Sequence, residues 1–297
     1  MLFPSASECV AWLVVFMTEA VAIVTLNIIT IIVFIKNRSL RKRSMYLVIN
    51  LAVADMFVGG FSEVMAFFVV GVRCNFWKYN VPLNGIWDYI IFSLEILFSF
   101  TSMLSIAAIS LERMHATFLP FRHRVIRKIV YVLFISLIWI AALMVSIALV
   151  IINNFKGKTK YYFYVYVSFN SACLFVIFVS YASIFMKMCC GAHPQHHGAA
   201  SRERKLTKTL FIVTFVSLLM WLPYVISIFL LYSTPIFSSF SMLTNARFFV
   251  FLFLLFHTNS LVNPILYAIR MPGFKRALVS LFRFQQRQGG GIPLRPL

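Results

Sequence analysis

The stretch "HTNSLVNPILY", His257 to Tyr267, decides how this chain is read. It sets a histidine, a threonine, two asparagines, a serine and a proline inside an apolar run near 244–268. Polar groups removed from water are costly unless they find partners. A membrane helix tolerates an internal proline because its neighbours take up the freed backbone groups. The run is long enough to span a bilayer, which needs about 20 residues of helix. The polar residues then mark the side of that helix that faces other helices.

Working outward, the same apolar length recurs near 10–35, 44–70, 87–111, 129–152, 163–187 and 208–232, giving seven candidate spans in 297 residues. They are continuously apolar rather than alternating, which indicates helices and not barrel strands. Composition agrees: 61% of residues are hydrophobic, 12% are charged and the mean hydropathy is +0.90. Soluble domains carry about twice that share of charge. The formal net charge of +19 raises the question of nucleic acid, and its distribution answers it. Lys36–Arg43, Arg113–Lys128 and Lys187–Lys208 hold five basic residues each, and the tail from Arg270 holds six. The alternate loops hold two, three and one, and the segment before the first span has none. The positive-inside rule therefore puts the N-terminus outside and the C-terminus inside. The charge is topological, and nucleic acid is not expected as a partner.

No cleavable signal peptide is visible, and the first apolar run is expected to act as a signal anchor. Cys9 and Cys74 both fall on the predicted outer side and are available to pair, whereas Cys173 reads as a small packing residue inside a span. "HPQHH" (His193–His197) reads as a loop tip without a metal-ligand set.

The other spans carry their own polar groups: Asn27 in the first, Asn50 and Asp55 in the second, Ser102 in the third, Trp139 in the fourth. The third ends in "LERM" with Glu112 and Arg113, and the sixth holds "MWLPY" with Trp221, Pro223 and Tyr224. "NLAVAD", "LERM", "MWLP" and "NPILY", followed by "PGFKR", occur in order and at matching depth. With these motifs the chain resembles the rhodopsin-like (class A) G-protein-coupled receptors over its whole length. The resemblance implies an all-α membrane protein: a seven-transmembrane bundle over 1–270, then a short amphipathic eighth helix and cytoplasmic tail over 271–297. Gly273–Phe284 has the composition for such an interfacial helix, with Phe274, Leu278, Leu281 and Phe282 opposite Lys275, Arg276 and Arg283. It implies a multi-pass protein of the plasma membrane, with an extracellular ligand, a heterotrimeric G protein and the lipid bilayer as partners, and no covalent catalysis.

Residue by residue, Asp55, Ser102, Asn259, Ser260 and Asn263 match the family's sodium and water pocket beneath Trp221. Oxygen ligands around one carboxylate suit a hard cation such as Na+, and a hydrated polar core without an ion is the alternative. Arg113 matches the family's switch arginine beside Glu112, and Glu203 occupies the place of its inactive-state partner. Tyr181, Tyr267 and Pro264 match other parts of the activation switch. Pro120 and Phe121 match the second-inner-loop pair that meets the G protein together with Arg113, although Phe121 also suits an interfacial membrane anchor.

The chain also departs from the family. Asp88 stands where a span-3 cysteine usually bridges to the second outer loop, and that loop, "NNFKGKTKYY", has no cysteine. Cys173 replaces a span-5 proline and Ser217 a span-6 phenylalanine. These features look like the melanocortin receptors and their relatives. His257 takes the place of the opsin lysine, and no lysine lies between Lys208 and Lys275, so no retinal Schiff base is expected. A histidine here is reminiscent of adenosine receptors.

Four acids, Glu19, Glu63, Asp88 and Glu95, belong to the outer half where the family binds ligands. Glu95 lies 18 residues before Arg113, where aminergic receptors hold the ligand ammonium. It is also seven residues outward of Ser102, so the two share a helix face. An acidic cavity calls for a cationic amine or basic peptide. Glu95, Glu63, Asp88, His257, Trp221 and Tyr224 are the candidate ligand residues, and Glu19 reads as an interhelical contact. A Glu95–His257 hydrogen bond is the competing structural reading, leaving room for a neutral nucleoside-like or lipid ligand. A small transporter or channel is the rival from another class. Against it stand the lack of an internal repeat and the joint presence of Arg113, Glu203 and "NPILY".

Overall fold

The computed structural model describes residues 5–37, 40, 43, 45–77, 86–154, 159–190 and 199–289. Helix α1 (Ala6–Lys36) is capped by the Ser5 hydroxyl, which accepts the Glu8 amide. The second span is α2 (Met45–Phe57), a π-helical turn (Val58–Glu63) and α3 (Val64–Arg73). Then follow α4 (Ile86–Phe118), the short α5 (Pro120–Val125), α6 (Lys128–Asn154), α7 (Thr159–Cys190), α8 (Ala199–Ser233), α9 (Met242–Arg270) and α10 (Pro272–Gly289). Seven segments are long and apolar enough to cross a membrane, and they coincide with the seven stretches read from the sequence.

Helix α4 is the hub. It packs against α2, α6, α7 and α8 and buries Phe100, Met103 and Ile106. Helix α6 is peripheral and turns Leu133, Leu137 and Met144 outward, apolar residues that suit contact with lipid. Pro223 and Pro264 sit inside α8 and α9 without ending either helix.

The π turn has a specific consequence. In an unbroken α-helix, eight residues carry a side chain roughly 80° round from Asp55. The extra residue that a π turn absorbs removes most of that rotation, so Glu63 is buried like Asp55. Gly59 makes the turn fit against α1, since a Cβ there would lie 2.6 Å from Ile23 Cγ2 and 3.2 Å from the Ala20 carbonyl oxygen.

Three devices close the outer ends of the first, second and seventh spans. Cys9 and Cys74 form a disulfide. Arg247 donates from Nε and Nη2 to the two Glu8 carboxylate oxygens, at 2.6 and 2.7 Å. The Trp77 indole lies over Gly71 and donates to the Phe68 carbonyl at 2.9 Å. At the inner end, Phe274 of α10 packs on Phe34 and Tyr267, with ring centroids 5.3 and 6.3 Å away. Lys275 and Arg276, the next two residues of α10, are exposed. Cys173 is buried and unpaired. The "HPQHH" loop and the last residues of the tail lie outside the described residues.

Candidate functional site

The innermost polar centre is built on Glu112 and Arg113 at the end of α4. Glu112 accepts from Arg113 Nε, and Arg113 is 4% exposed. The same carboxylate meets His123 Nε2 of α5 at 2.6 Å and accepts the Tyr131 hydroxyl of α6 at 3.3 Å. The sequence offered Glu203 as the partner of Arg113, but the Glu203 side chain lies outside the described residues. His123 and Tyr131 carry no sequence signal for this role, because only the turn through α5 brings them back to Glu112. Nearby, Lys187 Nζ donates to the Thr117 carbonyl at 2.8 Å and sits 4.5 Å over the Phe118 ring, tying α7 to the end of α4. Phe121 is 81% exposed, free of packing that would compete with a partner or the membrane surface. Tyr181 and Tyr267 are both buried, and among the described residues the Tyr267 hydroxyl has no hydrogen-bond partner.

The middle centre gathers around Asp55, which is fully buried. Its Oδ1 accepts the hydroxyls of Ser102 at 2.6 Å and Ser260 at 2.8 Å, and its Oδ2 accepts Asn263 Nδ2 at 2.8 Å. Three helices, α2, α4 and α9, thus converge on one carboxylate. Asn27 fixes the adjacent backbone by donating to the Ser260 carbonyl at 3.0 Å. Asn50 bridges Ser105 and the Trp139 indole, joining α2, α4 and α6. Asn259 is buried but makes no hydrogen bond to Asp55. Among the described residues, the amide oxygens of Asn27, Asn259 and Asn263 are buried acceptors without donors. Such groups demand a partner, and acceptor oxygens beside a carboxylate fit a small hard cation or water. Trp221 is buried above, with its ring 6.3 Å from Phe256.

The outer centre is a cavity of about 100 Å³ between α4, α7, α8 and α9. Glu95, Tyr162, Tyr166, Tyr224, Phe253 and His257 are among its lining residues. Tyr224 therefore stands where the sequence placed it, whereas Trp221 is not part of the lining. Among the described residues the Glu95 carboxylate makes no hydrogen bond and no ion pair. The competing Glu95–His257 hydrogen bond is not formed among the described residues. Instead, His257 Nδ1 lies 2.7 Å from Glu63 Oε1, within ion-pair distance although off the line of a hydrogen bond. Glu63 is fully buried behind His257, so it is a partner of the imidazole and not a wall of the cavity. The π turn that re-aims Glu63 explains the difference. Glu19 accepts the Thr258 hydroxyl at 2.6 Å, the interhelical contact expected of it. The Asp88 side chain lies outside the described residues.

This geometry agrees with comparison to known proteins. Residues 26–267 match the family described as 7 transmembrane receptor (rhodopsin family). The human (Homo sapiens) alpha-1D adrenergic receptor is 27% identical over 88% of this chain and 54% of its own length. The rhodopsin of Sargocentron spiniferum is 23% identical over 86% of this chain and 77% of its own. The substance-K receptor of Mesocricetus auratus is 26% identical over 74% of this chain and 62% of its own. The chain spans about half the length of the adrenergic relatives it matches. The adrenergic and substance-K relatives are receptors by name. Seven spans, a carboxylate held by three helices and a family match across the bundle lead to one conclusion: the chain belongs to the rhodopsin family of seven-transmembrane receptors.

Proposed function

We propose that this protein is a receptor for an extracellular cationic ligand, an amine or a basic peptide, and that it promotes nucleotide exchange on a heterotrimeric G protein. The observation that carries the ligand class is Glu95. It faces an aromatic cavity without a hydrogen bond or ion pair among the described residues, while the nearest imidazole, that of His257, lies against Glu63. A carboxylate in a low-dielectric site asks for a cation. Tyrosine and phenylalanine faces around it add cation–π attraction. His257 supplies no amine for a retinal Schiff base, and no lysine stands elsewhere between Lys208 and Lys275. The Asp55 centre suits an allosteric sodium ion, with Asp55, Ser102 and Ser260 as oxygen ligands and the Asn259 and Asn263 amide oxygens as candidates to complete the shell. Arg113, released from Glu112, would meet the G protein beside Pro120 and Phe121.

The test is nucleotide exchange on added heterotrimeric G proteins by the purified receptor, with compounds grouped by charge. Exchange stimulated by cationic compounds and lost in Arg113→Ala supports the reading. Measurable solute flux with exchange indifferent to Arg113→Ala would instead favour the transporter.

A further inference from the structure

Three acids, Glu63, Glu95 and Glu19, lie within electrostatic reach of one imidazole in the outer bundle, and two of them matter to the cavity. His257 turns Nδ1 toward Glu63 at 2.7 Å and also lines the cavity that contains Glu95. Two rings hold it in that attitude: Phe253, perpendicular at a centroid distance of 4.3 Å, and Phe256 at 5.3 Å. Glu63 is 0% exposed, and its Oε2 has no hydrogen-bond partner, so no ligand reaches it and the imidazole is its sole counter-group among the described residues. Of the other charged groups, Glu19 also reaches the imidazole electrostatically, but from the α1 side and not from the cavity wall. Glu19 of α1 takes the Thr258 hydroxyl, and Arg247 at the rim is held by Glu8. The groups facing Glu95 from α7 and α8 are the phenols of Tyr162, Tyr166 and Tyr224, which bring no positive charge.

Opposite charges attract far more strongly in a low-dielectric interior than in water. An imidazole freed from Glu63 would therefore turn to the next uncompensated carboxylate on its own cavity wall, Glu95. A cationic ligand would then have to displace an internal partner. A neutral ligand would meet no such competitor. We infer that Glu63 is a specificity-determining positioning residue: by holding His257 it keeps Glu95 open for a ligand cation. The π turn at Val58–Glu63 and the close fit of Gly59 on α1 are the structural reason it can do so. The inference rests on the cationic-ligand reading above.

The experiment measures equilibrium binding of phenethylamine and of its neutral counterpart phenethyl alcohol to the purified full chain. Wild type is expected to prefer the amine, and Glu95→Gln to erase the preference. Glu63→Gln is expected to weaken the amine about tenfold or more, a 1.4 kcal/mol change, while the alcohol changes little. The double variant Glu63→Gln with His257→Asn removes the competitor and is expected to restore the amine preference. His257→Asn alone alters the cavity wall for both ligands, so only their affinity ratio is read; it should still favour the amine, which preserves a test if Glu63→Gln folds poorly. Unchanged alcohol binding marks an intact cavity. Retention of the preference in Glu63→Gln, failure of the double variant to restore it, or its loss in His257→Asn alone overturns the inference. A wild type without amine preference, or one whose preference survives Glu95→Gln, sinks the cationic-ligand reading itself and the inference with it.

Discussion

His257 and Glu63 meet across the boundary of the seventh and second spans, Nδ1 to Oε1 at 2.7 Å, while Glu95 stands on the cavity wall without such a partner. That contact sets Glu63, held against the imidazole, apart from Glu95, available to the cavity. The same division between held and available groups recurs at the other two centres, and each gives a test.

At the end of α4, Glu112 holds Arg113, His123 and Tyr131 together. Glu112→Gln removes the charge that fixes Arg113 and should raise ligand-independent nucleotide exchange several-fold. Tyr131→Phe deletes one donor at 3.3 Å, a long contact at the weak end of the about 1.5–3 kcal/mol of a hydrogen bond to a charged group, and should raise it less. Basal exchange measured on equal amounts of folded protein decides. Equal effects of the two variants would show that the carboxylate is not the anchor.

In the middle centre, Asp55→Asn keeps the shape but removes the charge that three donors and a cation would share. A cation that binds only the folded state raises its thermal midpoint as concentration rises. Wild type should therefore melt at a higher temperature in sodium chloride than in choline chloride, and Asp55→Asn should lose the difference. No sodium effect in wild type would leave the pocket to water alone.

The disulfide between Cys9 and Cys74 closes a long loop, with a sequence separation of 65. Bridges of this kind contribute about 2–4 kcal/mol, chiefly by restricting the unfolded chain. Cys9→Ser should lower the thermal midpoint of the purified protein, and reducing agent should do the same to wild type but not to Cys9→Ser. The Glu8–Arg247 pair beside it is half-exposed at the arginine, so Glu8→Gln should cost much less.

Much of this was legible in the sequence, and what was not has physical causes. The seven spans follow from apolar length, and the convergence of Asp55, Ser102, Ser260 and Asn263 follows from motifs at matching depth. The Glu63–His257 pair was not legible. It depends on a π turn that shifts the register of the second span by about one residue, and "VGGFSE" has no distinctive pattern for it. His123 escaped notice because its partner, Glu112, lies across a chain reversal in a loop rich in basic residues. The Cys9–Cys74 bridge was open in the sequence as one possible pairing, since cysteine counts do not fix connectivity.

The central claim is that Glu95 receives a ligand cation in a G-protein-coupled receptor. The most direct measurement is agonist-stimulated nucleotide exchange by wild type and Glu95→Gln across a compound panel graded by charge. The account predicts that active compounds are cationic and lose potency in Glu95→Gln by about 1.5–3 kcal/mol, the worth of a hydrogen bond to a charged group. Activation by neutral or lipid compounds, with potency unchanged in Glu95→Gln, would contradict it.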